Sequence, residues 1–166
     1  MSLRDATREL HHAAERHPVG AAMAAGTISV RWWLDWCGAL RTIHAELDPR
    51  LPAVLGRERE LDADVAALLP MQPMPSYAAA QFAGGLTAPL AVVGAAYVFT
   101  GAHLMGGAVT ERAVGARLPC AHLRWADRRA ALDAWRPWRD AIEAEEAARA
   151  AFAAVLAIMD GIRGRA

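Results

Sequence analysis

The sequence predicts an all-α protein, and three observations carry that reading. Alanine dominates and β-branched residues are sparse, which favours helix over strand. Apolar residues recur with 3,4 spacing along most of the chain, and no stretch alternates with the period of two that a strand needs. Capping residues, prolines and glycines cut the chain into helix-length pieces. At 166 residues, 55% of them hydrophobic, the chain is long enough to bury a real core. With no internal repeat and no long linker, the expectation is a single domain, residues 1–166, of six to eight helices.

The first helix is expected from Ser2, as N-cap, to Arg16, with Leu3, Ala6, Leu10 and Ala13 as its apolar stripe. His17-Pro18 and Gly20 end it. Ser29 opens a second helix whose stripe runs through Val30, Trp33, Leu34, Cys37, Leu40, Ile43, Ala45 and Leu47, closed by Asp48-Pro49. A third covers Glu58 to Leu69, with Leu61, Val65, Leu68 and Leu69 facing inward. Pro70, Pro73 and Pro75 forbid helix up to Ser76. Helix resumes from Tyr77 to Ala83 and pauses at Gly84-Gly85. A long uncharged helix then starts near Thr87, with Pro89 tolerated in its first turn. Gly101 and Gly106-Gly107 are expected to kink or thin it. After the break at Leu118-Pro119, helix is expected from His122 to Ala134 and from Pro137 to Ile162, with Pro137 separating the two.

Composition narrows the function classes. The 18 basic residues are all arginine and are balanced by 18 acidic ones, so net charge is zero and no global pull toward nucleic acid exists. Cys37 and Cys120 lie far apart without metal spacing, and read as buried thiols of a reducing cytoplasm. The N-terminus turns amphipathic and charged at once, with no apolar signal region. Leu86 to Leu104 is about long enough to span a bilayer. Pro89, Thr87, Thr100, His103 and several glycines, with no arginine cluster at either flank, argue instead for a buried helix or one lining a large apolar ligand. A cytoplasmic protein without membrane insertion is the expectation.

Three features carry chemistry. Arg4 and His11 are seven residues apart, hence about 20° apart around a helix and about 10.5 Å along it. Such a stripe could hold a flat, anionic, metal-bearing ligand, with the imidazole on the metal and the guanidinium on a peripheral carboxylate. His12 points about 100° away, so the two histidines do not ligate one metal from one helix face. His17, His44, His103 and His122 show no zinc-motif spacing. In the second feature, Gly101, Gly106 and Gly107 sit in helical context at a cost of about 1 kcal/mol each. Close helix packing and close approach to a flat ligand both account for them. Third, Arg124 and Arg128, spaced i,i+4, form with Trp125 and Arg129 a basic patch able to pair with carboxylates, or simply a solvated face.

Together these segments resemble the heme oxygenase family. Ala6-Thr7-Arg8-Glu9-Leu10-His11 is similar to its proximal helix, Tyr97 to Gly107 to its distal helix, and Glu145 to Phe152 to its last core helix. The resemblance spans nearly the whole chain and is greatest to the short bacterial members encoded with bacteriophytochromes. It implies a multi-helix bundle with a glycine-kinked distal helix. It also implies heme as substrate and cofactor, its iron held by His11 and its propionates met by Arg4, Arg124 and Arg128. Gly101, Ala102, Met105, Gly106 and Gly107 would line the distal face. The implied reaction uses O2 and electrons from a ferredoxin or a reductase to give biliverdin, carbon monoxide and ferrous iron, with the protein positioning the reactants.

The sequence departs from the family pattern on the distal side. In a gapless match Met105 replaces a glycine; a one-residue insertion would instead align Gly106-Gly107 with the family's glycine pair. Ala102 stands where many members carry an aspartate that organises distal water. A Met or His near that face could block oxygen. Two other readings therefore stay open: a non-catalytic heme carrier, sensor or store on the same fold, and a helical domain that binds another apolar ligand or a protein.

Overall fold

The computed structural model describes residues 2–165, which contain helices and turns and no strand. Helix α1 (Leu3–Arg16) begins as expected at Ser2, whose hydroxyl accepts the Asp5 N–H at 3.2 Å while the Asp5 carboxylate reaches back, a reciprocal cap. His17 closes α1 and opens α2 (Pro18–Ala24), its Nδ1 accepting the Val19 N–H at 3.2 Å. Gly20 therefore lies inside a second helix, where a Cβ would run into the Ala14 carbonyl. Helix α3 (Val30–Leu47) is capped by Ser29 and buries Trp33, Leu34, Cys37, Leu40, Ile43 and Leu47. Val30, expected inside, is exposed.

Helix α4 (Glu58–Ala66) is three residues shorter than the spacing predicted. The chain turns off at Ala67 toward the proline run, leaving Leu69 exposed and Leu68 half-buried. After α5 (Tyr77–Gly84), capped by Ser76, the long uncharged segment runs as four pieces. They are α6 (Pro89–Ala95), a π-helical turn (Ala96–Thr100), α7 (Gly101–Met105) and α8 (Gly107–Val114). The axis bends by 51° between Pro89–Met105 and Gly107–Val114, so the kink falls at Gly106. Counting these pieces as one interrupted helix gives eight helices among the described residues.

The C-terminal half differs from expectation. His122 belongs to a short 3-10 turn (Ala121–Leu123), and helix α9 (Arg128–Arg139) starts only after Asp127, whose carboxylate accepts the Ala130 N–H at 2.9 Å. Pro137 does not divide two helices. It sits in the last turn of α9, where its missing N–H costs one hydrogen bond, and the break follows at Asp140. Helix α10 (Glu145–Arg163) then crosses the molecule, packing against α1, α3, α5 and α6. It comes so close to α6 that a Cβ on Gly94 would lie 2.6 Å from the Ala148 nitrogen. The large core gathers around α3 and α10, and a smaller one joins Leu55, Leu104, Ala131 and Trp135.

Among the described residues no single helix is long and apolar enough to cross a membrane. The bent pair Pro89–Met105 and Gly107–Val114 reaches that length and composition only together.

Candidate functional site

On α1 the buried residues Leu3, Ala6, Thr7 and Ala14 turn inward. Arg4 and His11 consequently stand together on the outer side, both exposed. The His11 ring lies edge-on to Phe152 of α10, centroids 5.7 Å apart. Its Nδ1 is 3.5 Å from Glu15 Oε1, one turn further along. A carboxylate at Nδ1 favours the tautomer that leaves the Nε2 lone pair free for a metal. The sequence reading overlooked Glu15, although its i,i+4 spacing from His11 was the signal. It also set His12 aside. In the structure His11, His12 and Glu15 bring one donor atom each within 4.8 Å of one another. The long side chains reach across the 100° between neighbouring positions on the helix.

The glycine segment divides between its two sides. Gly101 is buried, and a Cβ there would meet Trp135 Cζ2 at 2.6 Å, so this glycine admits the indole of α9. Gly107 is also buried, against Leu123. Ala102, Met105, Gly106 and Val109 form the exposed stripe, with Met105 and Val109 each 60% exposed. The structure thus separates residues grouped in sequence: Gly101 and Gly107 serve packing, while Ala102, Met105 and Gly106 line an open apolar face.

Arg124 and Arg128 do not share a helical stripe. Arg124 follows the 3-10 turn in extended conformation, whereas Arg128 is the first residue of α9. Both are exposed and engaged: Arg124 Nε donates to Glu111 at 2.5 Å, and Arg128 Nη2 donates to the Leu104 carbonyl at 2.8 Å. The Glu111 carboxylate raises the Arg124 pKa above its usual value. Trp125 is taken up by Arg57, whose guanidinium lies 3.8 Å over its ring. Arg124 also lines a surface hollow of about 350 Å³ with Glu111 and Arg112; a larger hollow of about 580 Å³ lies between α3, α4 and α5. Neither hollow includes Arg4 or His11.

Local spacing gave no sign of a third arrangement. His44 of α3, His103 of α7 and His122 of the 3-10 turn meet in the interior. His103 lies 5.2 Å from each neighbour by ring centroid, stacked on His44 and edge-on to His122. His44 Nδ1 donates to Asp48 at 2.7 Å, and His122 Nδ1 donates to Asp64 at 2.5 Å. Burial would raise the Asp48 pKa, yet the His44 imidazole and the N–H groups of Glu58 and Arg57 hold it below the usual range. Asp64 also accepts the N–H groups of Ala121 at 2.7 Å and His122 at 3.0 Å. Burial pushes His103 well below the ordinary imidazole value and His122 below it as well. Cys37 and Cys120 are buried free thiols, and desolvation raises both.

With this geometry the fold is that of the heme oxygenases. Heme oxygenase-1 from the cyanobacterium Synechocystis sp. PCC6803, solved in complex with heme, superposes with a TM-score of 0.81 at 18% identity, covering 98% of this chain and 89% of that one. Heme oxygenase from Leptospira interrogans superposes with a TM-score of 0.75 at 17% identity over 100% of both chains. No family model and no curated protein matches the sequence.

Proposed function

We propose that this chain is a heme-binding protein that degrades heme in the manner of heme oxygenases. The observation that carries the proposal is His11: an exposed imidazole on the first helix, with Nδ1 beside Glu15 and Nε2 free, in a chain with the heme oxygenase fold. The residues present fit the group. Nε2 of His11 would hold the iron, Phe152 would lie against the macrocycle, and the exposed Ala102–Met105–Gly106 face would accept its other side. Arg4, Arg124 and Arg128 would answer the propionates, Arg124 by leaving Glu111. Bound heme supplies the redox chemistry that opens its own ring with O2 and electrons from a ferredoxin or reductase, giving biliverdin, carbon monoxide and ferrous iron. The chain's own part is to ligate, orient and screen. Glu15 would favour the His11 tautomer with a bare Nε2, and the apolar stripe would exclude bulk water once covered by the bound ring.

One observation favours a second reading, heme binding without turnover. Met105 is 60% exposed on the open face, and its thioether would offer the iron a ligand besides His11. Hemin titration of wild type and His11→Ala, followed by ascorbate under air, tests both readings. A Soret band that depends on His11, followed by biliverdin, supports degradation. A stable six-coordinate spectrum supports binding alone, and no Soret band overturns both.

A further inference from the structure

We propose that His11, His12 and Glu15 form a binding site for a first-row divalent cation such as Zn2+, and that this cation and heme exclude each other at His11. All three donors stand on one helix. His11 and Glu15 are spaced i,i+4, hence neighbours along one side of α1, and His11 Nδ1 is 3.5 Å from Glu15 Oε1. Ligands about 2.0–2.1 Å from a tetrahedral zinc stand about 3.4 Å from one another, so this pair already has the needed span. His12 completes the set, since one donor atom from each residue lies within 4.8 Å of the other two. Closing from there onto an ion asks only a small turn of exposed side chains. Among the described residues no other three histidine, cysteine, aspartate or glutamate side chains gather in this way.

The chemistry of the donors selects the cation. Two imidazoles and a carboxylate suit zinc, nickel, copper or ferrous iron, whereas magnesium and calcium call for oxygen ligands. Three protein ligands leave the remaining coordination positions to water, which the exposed side of α1 admits. The helix beneath the site is fixed by the burial of Leu3, Ala6, Thr7 and Ala14, and the His11 ring rests edge-on against Phe152. Ordering the ligands therefore costs little. Arg8, one turn earlier on the helix, is paired with Asp5. The exclusion rests on the heme proposal; the cation site does not. A neutral imidazole has one lone pair and serves one metal. A cation between Nδ1 and Glu15 leaves the ring proton on Nε2, and a cation on Nε2 takes the place of the iron. His12 has no part in the heme proposal, so it separates the two ligands experimentally.

The site is tested first without heme. Zn2+ is titrated calorimetrically into the protein at about pH 7.5, where ordinary imidazoles are neutral. Wild type should bind one equivalent, and His11→Ala, His12→Ala and Glu15→Gln should each weaken binding about tenfold or more. All three positions are exposed, and circular dichroism checks that each variant keeps its helices. Absence of saturable zinc binding, or an unchanged affinity in His12→Ala or Glu15→Gln, overturns the site. Hemin is then titrated with and without Zn2+ at about ten times its wild-type Kd. Mass action should weaken the Soret response about tenfold in wild type and at most about twofold in His12→Ala. An equal response with and without zinc in wild type, or an equal zinc effect in His12→Ala, overturns the exclusion. No Soret band at all overturns the heme proposal and the exclusion with it, while the zinc affinities still decide the site.

Discussion

Two groups of histidines occupy opposite environments in this molecule. His11 and His12 stand in solvent on α1, and His11 has one soft contact with Glu15 and one ring edge against Phe152. His44, His103 and His122 come from three elements far apart in sequence and lie in the interior, two of them anchored to carboxylates. The same side chain thus serves two purposes. In the open it keeps a nitrogen available to a ligand at little cost to folding. In the interior it packs and hydrogen-bonds, and burial pushes the His103 and His122 imidazoles below their ordinary value.

That contrast can be broken from the buried side first. Asp64→Ala removes the acceptor of three N–H donors and should cost about 3 kcal/mol or more in urea-unfolding stability. A loss below about 1 kcal/mol would show that the buried set is not structural. Gly101→Ala pushes a methyl into Trp135 and should cost about 1–3 kcal/mol by the same measurement. Gly106→Ala on the open side meets only the Ala102 carbonyl oxygen at 3.2 Å and should cost less than that. Ser2→Ala removes the α1 cap and should lower stability by about 1 kcal/mol, seen as a lower thermal midpoint. The smallest stability effect belongs to His11→Ala, within about 0.5 kcal/mol. In the heme proposal the same change abolishes the His11-dependent Soret band. A large stability loss in His11→Ala would remove the distinction between the two groups.

What the sequence made readable follows the range of the interactions. Ser2 and Ser29 as caps, the α3 stripe from Trp33 to Leu47 and the proline run are local events, and each was placed within a residue or two. Arg4 and His11 on one stripe is also a local inference from helix period, and both do stand exposed on one side of α1. The shared stripe of Arg124 and Arg128 failed because i,i+4 spacing matters only inside a helix, and Asp127 caps one that begins after Arg124. Pro137 misled for a related reason: near a C-terminus its missing N–H costs one bond rather than a helix. The histidine cluster was invisible because its members, at 44, 103 and 122, meet only through tertiary packing. Gly101 could be assigned to packing only once Trp135 was seen against it.

The π-helical turn at Ala96–Thr100 sets the rotational phase of everything after it. Such a turn holds one residue more than α-helical winding needs, and each residue turns a helix by about 100°. Excising one residue there would let the segment rewind as plain α-helix. Met105 would then swing about a quarter-turn toward its neighbours, and Gly101 would be carried off the Trp135 indole. The direction in which the open face looks is therefore written upstream of that face, in five residues that contribute nothing to its surface chemistry.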